Sequence, residues 1–85
     1  MKEFNYVLTD ENGIHARPAG ILVREAAKFK SSITIQKDDK KADGKRLFSL
    51  MSLAAKKGDN ILVTIEGEDE EQATKMLQDF LIANM

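Results

Sequence analysis

The chain of 85 residues has no cysteine, no tryptophan, one proline and one histidine. Without cysteine it can form neither disulfides nor thiolate metal sites, and so short a chain must be stabilised by packing alone. A lone histidine is a weak basis for a metal site, so we expect neither a metal nor a cofactor. A reducing compartment suits this composition, and we expect a cytoplasmic protein.

The sequence also lacks an excess of charge of either sign, with 13 Lys and Arg against 14 Asp and Glu. Nothing in this balance favours binding to nucleic acid. No window approaches the ~18 apolar residues of a membrane span, and the first residues lack an apolar stretch of signal-peptide length. We therefore expect one complete, soluble domain over residues 1–85 that does not insert into membranes.

Hydrophobic periodicity predicts the secondary structure. Alternating apolar residues indicate strands at 3–8, 31–37 and 60–67, and the polar segment 38–44 indicates a turn and a short edge strand. Helical spacing indicates helices from about 16 to 29, within 46–58 and within 68–85. The order β-α-β-β-α-β-α predicts an α+β fold, an open-faced β-sandwich with the helices on one face of a mostly antiparallel sheet.

The segment "NGIHARPAG", residues 12–20, contains the only histidine and the only proline. Because proline fits only the first turn of a helix, Pro18 predicts a helix that begins near residue 16, directly after His15. Gly13 provides a turn in front of the histidine. His15 is therefore expected at a helix N-terminus, where free backbone N–H groups and the helix dipole favour anions.

This position favours a nucleophilic histidine. The positive end of the helix disfavours imidazolium, and the neutral ring has a lone pair to donate. A phosphoryl group on the ring carries about −1.5 to −2 charges. The guanidinium of Arg17 and backbone N–H groups such as that of Ala16 would stabilise it. The residues alone thus predict an anion-handling site at His15.

Other interpretations of the histidine remain open at this point. It could be a capping or surface residue, and a catalytic triad could still converge in space. A metal site would need Asp10 or Glu11 as further ligands, and their spacing does not support one. A ferredoxin-like module that binds RNA or metal is disfavoured, because such proteins need exposed aromatic residues on the sheet or a cysteine pair.

"GIHARPAG" resembles the active-site segment of HPr, the family of histidine-containing phosphocarriers of the bacterial sugar phosphotransferase system, and residues 47–73 are similar to the second half of these proteins. The resemblance implies that His15 accepts phosphate at Nδ1 from phosphorylated enzyme I and passes it to IIA domains of sugar permeases, with Arg17 pairing with the phosphate. It further implies a monomeric carrier without independent turnover. The implied sheet has the strand order first, fourth, second, third, with three helices on one side.

Two helical faces form a predicted docking surface. The face of the first helix opposite its apolar stripe comprises Ala16, Gly20, Arg24 and Ala27. On the second helix, Leu50 and Leu53 are predicted to face the core, and the resemblance implies that a second apolar stripe contacts enzyme I and IIA proteins. That stripe comprises Leu47, Phe48 and Met51, and the predicted surrounding positive charges are Arg17, Arg24, Lys45 and Arg46. Gly20 reflects either a closely approaching partner or simple tolerance of glycine.

Position 46 departs from the pattern of many Gram-positive HPr proteins, in which a serine there is phosphorylated by a regulatory kinase. With Arg46 in its place, we predict neither kinase regulation through this residue nor a corepressor function that depends on it. Ser49 and Ser52 do not occupy the family's site. A paralogue in a nitrogen-regulatory or single-sugar phosphotransfer chain remains an alternative, whereas a corepressor derived from HPr would be expected to lack His15.

Overall fold

The computed structural model describes residues 1–85 as four strands and three helices in the predicted order. The elements are β1 (Lys2–Val7), α1 (Ala16–Ala26), β2 (Ser32–Lys37), β3 (Lys40–Asp43), α2 (Leu47–Met51), β4 (Asn60–Glu66) and α3 (Glu70–Asn84). None of the three helices has both the length and the apolar character needed to cross a bilayer.

The strands form one antiparallel sheet in the order β1-β4-β2-β3. Val63 of the central strand β4 lies opposite Phe4 on one side and Ile35 on the other. Successive side chains of a strand point to opposite faces, so this register places one row of apolar residues on a single face of the sheet. Both the strand order and the open-faced architecture expected from the resemblance are confirmed.

The helices cover that face with narrow apolar stripes. The core holds 18 buried apolar residues. The helical contributions are Ala19, Leu22 and Ala26 from α1, Leu50 from α2, and Ala73, Leu77 and Leu81 from α3. The other face of the sheet carries polar side chains such as Asn5 and Asn60, which are hydrogen-bonded to each other at 3.0 Å. The alternating pattern of the strands thus predicted correctly which side is covered.

The prediction that α1 extends to about Phe29 was wrong, because the helix ends at Ala26. The N–H groups of Lys28 and Phe29 bond to carbonyls only three residues back, at 3.2 and 3.1 Å. The next backbone N–H, that of Lys30, donates to the carboxylate of Asp69 at 2.9 Å and not to a helical carbonyl. The chain then continues into β2. A tertiary contact therefore ends a helix that its own sequence would continue.

The helix within 46–58 is also shorter than its pattern suggested and ends at Met51. Ala54 adopts a φ of +51°, a left-handed conformation that alanine rarely takes and that stops a helix. The turn signal at Gly58 belongs to the approach to β4, where its N–H donates to the carbonyl of Leu8 at 2.8 Å. The predicted stop signal therefore does not end α2; it forms the turn that precedes β4.

Candidate functional site

His15 is the residue immediately before α1 and has an extended backbone, with φ −123° and ψ 168°. Its carbonyl accepts the N–H of Ala19 at 3.0 Å, the first hydrogen bond of the helix. Its side chain makes no capping hydrogen bond and is 36% exposed. The imidazole is thus fixed at its root by the helix and remains accessible from solvent.

The first turn of α1 presents two unpartnered amides. The N–H groups of Ala16 and Arg17 donate to no protein acceptor, and Pro18, the third residue of the helix, has no N–H to donate. Pro18 is buried, so its ring packs inward while the two amides remain at the open end. The positive end of the helix dipole is therefore directed past the histidine.

The loop before His15 is held by Gly13 through close packing. Gly13 is buried and has a φ of +60°, and a Cβ at this position would collide with the backbone of Ala55. The next residue, Ile14, donates its N–H to the carbonyl of Ala55 at 3.1 Å. Gly13 provides the expected turn, and the structure requires glycine there because its φ is positive and a side chain would not fit against Ala55.

The histidine lies in a shallow depression of about 190 Å³ lined by Asp10, His15, Arg17, Pro18, Ile21 and Asn84. Asp10 Oδ1 is 3.7 Å from His15 Nε2. Asp10 was expected here only as a possible metal ligand, and Ile21 and Asn84 were not expected at the site. Asn84 lies at the end of α3, so no local pattern could have linked it to the site.

Arg17 is exposed, and no carboxylate lies within ion-pair distance of its guanidinium; the same is true of Arg24. The resolved pKa shifts belong to carboxyls outside the depression. Hydrogen bonds from Ser31 and Lys30 lower the pKa of Asp69 to about 2. A hydrogen bond from the N–H of Lys56, together with Lys37, lowers the pKa of Asp59. Arg17 is thus unpaired beside His15, where Asp10 is the one carboxylate of the depression.

The predicted apolar stripe on α2 is only partly exposed. Phe48 is 86% exposed, whereas Leu47 and Met51 are half-buried against the core. Leu50 and Leu53 are fully buried, as their spacing predicted. Since α1 packs against α2, Phe48 projects from the same helical layer that carries His15.

The outer face of α1 has the expected exposure. Ala16 and Arg24 are exposed, Gly20 is half-exposed, and Ala27 is the exposed residue just after the helix. A Cβ added at Gly20 would meet nothing within 4 Å. The fold itself therefore does not require glycine at this position, and both earlier interpretations of Gly20 remain.

Each of the two basic residues before α2 has a partner within the chain, which the sequence did not indicate. The ammonium of Lys45 donates to the carbonyl of Phe29 at 2.7 Å. Arg46 is highly exposed, with its Nε 3.5 Å from a carboxylate oxygen of Asp43. Lys45 therefore supports the segment that follows α1. The unpaired cations on α1 are Arg17 beside His15 and Arg24 in the last turn.

The fold and the site together define a class of small proteins, those with an open-faced antiparallel sheet and an accessible histidine directly before an unpartnered helix N-terminus. A family model described as "PTS HPr component phosphorylation site" matches residues 2–83. The phosphocarrier protein HPr of Mycoplasma capricolum is 38% identical over 82 residues, which cover 96% of this chain and 92% of the relative. The chain belongs to the HPr family of phosphocarriers of the phosphotransferase system.

Solved structures agree with this assignment. A mycoplasma histidine-containing phosphocarrier protein superposes with a TM-score of 0.93 at 36% identity and covers 96% of this chain and 93% of its own. Crh, the catabolite repression protein of Bacillus subtilis, gives a TM-score of 0.79 at 34% identity and covers 94% and 92%. That Crh structure is described as a dimer with a swapped domain.

Proposed function

We propose that this chain is a phosphoryl carrier in which His15 accepts a phosphoryl group at Nδ1 from phosphorylated enzyme I and donates it to IIA domains of sugar permeases. The observation that carries the proposal is the accessible imidazole of His15 directly in front of the two unpartnered N–H groups of Ala16 and Arg17. The unpaired guanidinium of Arg17 belongs to the same site.

The transfer needs only groups that this site contains. The lone pair of the neutral imidazole forms a bond to phosphorus as the bond between phosphorus and the donor breaks. The negative oxygens then face the N–H groups of Ala16 and Arg17 and the guanidinium of Arg17. Each such charge-assisted contact contributes about 1.5 to 3 kcal/mol. Onward transfer is the reverse process toward an acceptor, so the protein cycles between two states and has no turnover of its own.

The proposed docking surface combines the outer face of α1 with the exposed part of α2. Phe48 is the apolar contact, since its side chain has no cover in the folded chain. Arg17 beside His15 and Arg24 two turns further along α1 carry unpaired positive charge, which would steer acidic partner surfaces toward the site. Leu47, Met51 and Arg46 lie at the edge of this surface.

The proposal includes a monomer that acts in the cytoplasm. Every strand pairs within the chain, and β1 pairs with β4 through six consecutive residues from Lys2 to Val7. No strand therefore needs a second copy to complete the sheet.

We also propose that residue 46 carries no kinase regulation. Arg46 has no hydroxyl, and the nearby serines are engaged locally: Ser49 Oγ accepts the N–H of Asp43 at 2.9 Å, and Ser52 Oγ donates to the carbonyl of Ser49 at 2.6 Å. Incubation with an HPr kinase and ATP, followed by phosphopeptide mapping, tests this. A labelled serine near residue 46 would contradict it.

Incubation with enzyme I and labelled phosphoenolpyruvate tests the carrier function. We expect a label that is labile to acid, stable to base and located on His15, and we expect it to move to a IIA domain added afterwards. The matched variant His15→Ala should take up no label while remaining folded. A wild-type protein without label, or a His15→Ala variant with label, would overturn the proposal.

A further inference from the structure

Asp10 is the one carboxylate that lines the depression around His15. Its Oδ1 lies 3.7 Å from Nε2 of the imidazole, with the two side chains 34% and 36% exposed. We infer that Asp10 is a positioning residue that keeps the ring proton on Nε2 and thereby presents the lone pair at Nδ1. This inference rests on the proposed carrier function and names the group that selects the reacting nitrogen in this chain.

Three backbone contacts fix the position of Asp10. Its N–H donates to the carbonyl of Met85 at 2.9 Å, and its own carbonyl accepts the N–H of Gly13 at 2.9 Å. Its Oδ1, the oxygen nearest the imidazole, also accepts the N–H of Asn12 at 2.8 Å. The carboxylate is therefore held by the turn that leads into His15, and its direction does not depend on the histidine.

The charge of Asp10 makes the two neutral tautomers of His15 differ in energy. When the proton is on Nε2, the positive end of the N–H bond faces the carboxylate, and the interaction is attractive. When the proton is on Nδ1, the Nε2 lone pair faces the carboxylate, and the interaction is repulsive. A separation of 3.7 Å exceeds a direct hydrogen bond, so Asp10 acts through its charge.

The same charge acts on the incoming group. A phosphoryl group carries about −1.5 to −2 charges, and at Nε2 it would meet the carboxylate of Asp10. At Nδ1 it avoids that repulsion. Asp10 therefore supports Nδ1 in two ways, by placing the proton and by repelling an anion from the other nitrogen.

The variant Asp10→Asn tests the inference because an asparagine oxygen can still accept the N–H of Asn12 while the charge is lost. Asp10→Ser is a second variant that also keeps an oxygen for this turn. Asp39→Asn, an exposed acid in the β2–β3 turn, is the control for loss of one negative charge. The first measurement uses the free protein: the ¹⁵N chemical shifts of the neutral imidazole, which report the position of the proton.

We expect the Nε2–H form to predominate in wild type and in Asp39→Asn. Its ratio to the Nδ1–H form should fall about two- to fivefold in Asp10→Asn, which corresponds to the ~0.5 to 1 kcal/mol of an exposed electrostatic contact. The rate of phosphoryl uptake from enzyme I follows the fraction of the Nε2–H form, so it should fall by less than about twofold while that form remains in the majority. An unchanged tautomer ratio in both Asp10 variants would overturn the inference. A shifted ratio with no phosphoryl uptake by wild type would support the role of Asp10 at the ring and overturn the carrier function instead.

Discussion

The carboxylate of Asp69 accepts two hydrogen bonds from Ser31, one from its backbone N–H at 2.9 Å and one from its hydroxyl at 2.5 Å. A third comes from the N–H of Lys30 at 2.9 Å. Asp69 immediately precedes α3, and Ser31, which is fully buried, immediately precedes β2. One side chain thus ties the start of the last helix to the start of a central strand.

This contact makes stability depend on pH. The hydrogen bonds from Ser31 and Lys30 lower the pKa of Asp69 from 3.8 to about 2. A carboxyl with a lowered folded-state pKa contributes its full stabilisation above the unfolded value and loses it as pH falls through the folded value. We therefore expect Asp69→Asn to be less stable than wild type at pH 6, with the gap closing progressively between about pH 4 and pH 2.

Urea denaturation at a series of pH values measures this gap. Asp39→Asn is the control, since its carboxyl is exposed and outside these hydrogen bonds. A stability difference between Asp69→Asn and wild type that stayed constant down to pH 2 would show that the carboxylate charge is not the stabilising feature.

Gly13→Ala is predicted to destabilise the fold by about 2 to 4 kcal/mol, because it combines backbone strain with a collision. The φ of +60° is unfavourable for alanine, and the added Cβ would meet the backbone of Ala55. Gly58→Ala separates the two causes, since Gly58 has a φ of +90° and open space around it. That variant should lose only about 1 kcal/mol. Equal losses in the two variants, measured by chemical denaturation, would contradict the role of close packing at Gly13.

Arg17→Ala is predicted to slow phosphoryl uptake by about ten- to a hundredfold, the equivalent of one charge-assisted contact of about 1.5 to 3 kcal/mol. Arg24→Ala is the comparison, because Arg24 is also exposed and unpaired on α1 but lies two turns further along the helix. As a docking residue it should weaken the approach of enzyme I and leave the labelling rate at saturating enzyme I unchanged. Single-turnover labelling of both variants measures the effect. A similar loss in both would mean that Arg17 acts only through general attraction of the partner.

Phe48→Ala is predicted to weaken binding to enzyme I by at least about fivefold, as expected for an exposed aromatic at an interface. The free energy of unfolding should change by less than about 0.5 kcal/mol, because the ring is 86% exposed. Ile82 is another exposed apolar residue, 72% exposed and on α3. The control variant Ile82→Ala should bind enzyme I as the wild type does. Calorimetric titration with enzyme I distinguishes them, and equal affinities for wild type and Phe48→Ala would exclude Phe48 from the contact.

Much of the site could be predicted because its parts are adjacent in the chain. Pro18 set the start of α1 through the missing N–H of proline, and that start placed His15 and the two free amides. The sheet was predictable for a similar reason, since alternation along a strand determines which face becomes apolar.

The remaining features depend on contacts between distant residues. Nothing in the local sequence shows that Lys45 donates to Phe29, or that Ala54 takes a left-handed conformation. Asn84 enters the depression only because α3 ends beside the β1–α1 loop. Asp10 was visible five residues before His15, but its direction is set by the turn that it forms.

The carbonyl of Met85 accepts the N–H groups of Thr9 and Asp10 at 2.7 and 2.9 Å, and the Met85 side chain is buried. A contact between residues near opposite ends of the chain therefore helps to hold the loop that carries His15. The loop before His15 is thus held from two sides, by the end of α3 at Met85 and by the backbone of Ala55. Loosening of α3 would therefore disturb the loop before His15 as well as the core, so the site depends on a helix that is far from it in the sequence.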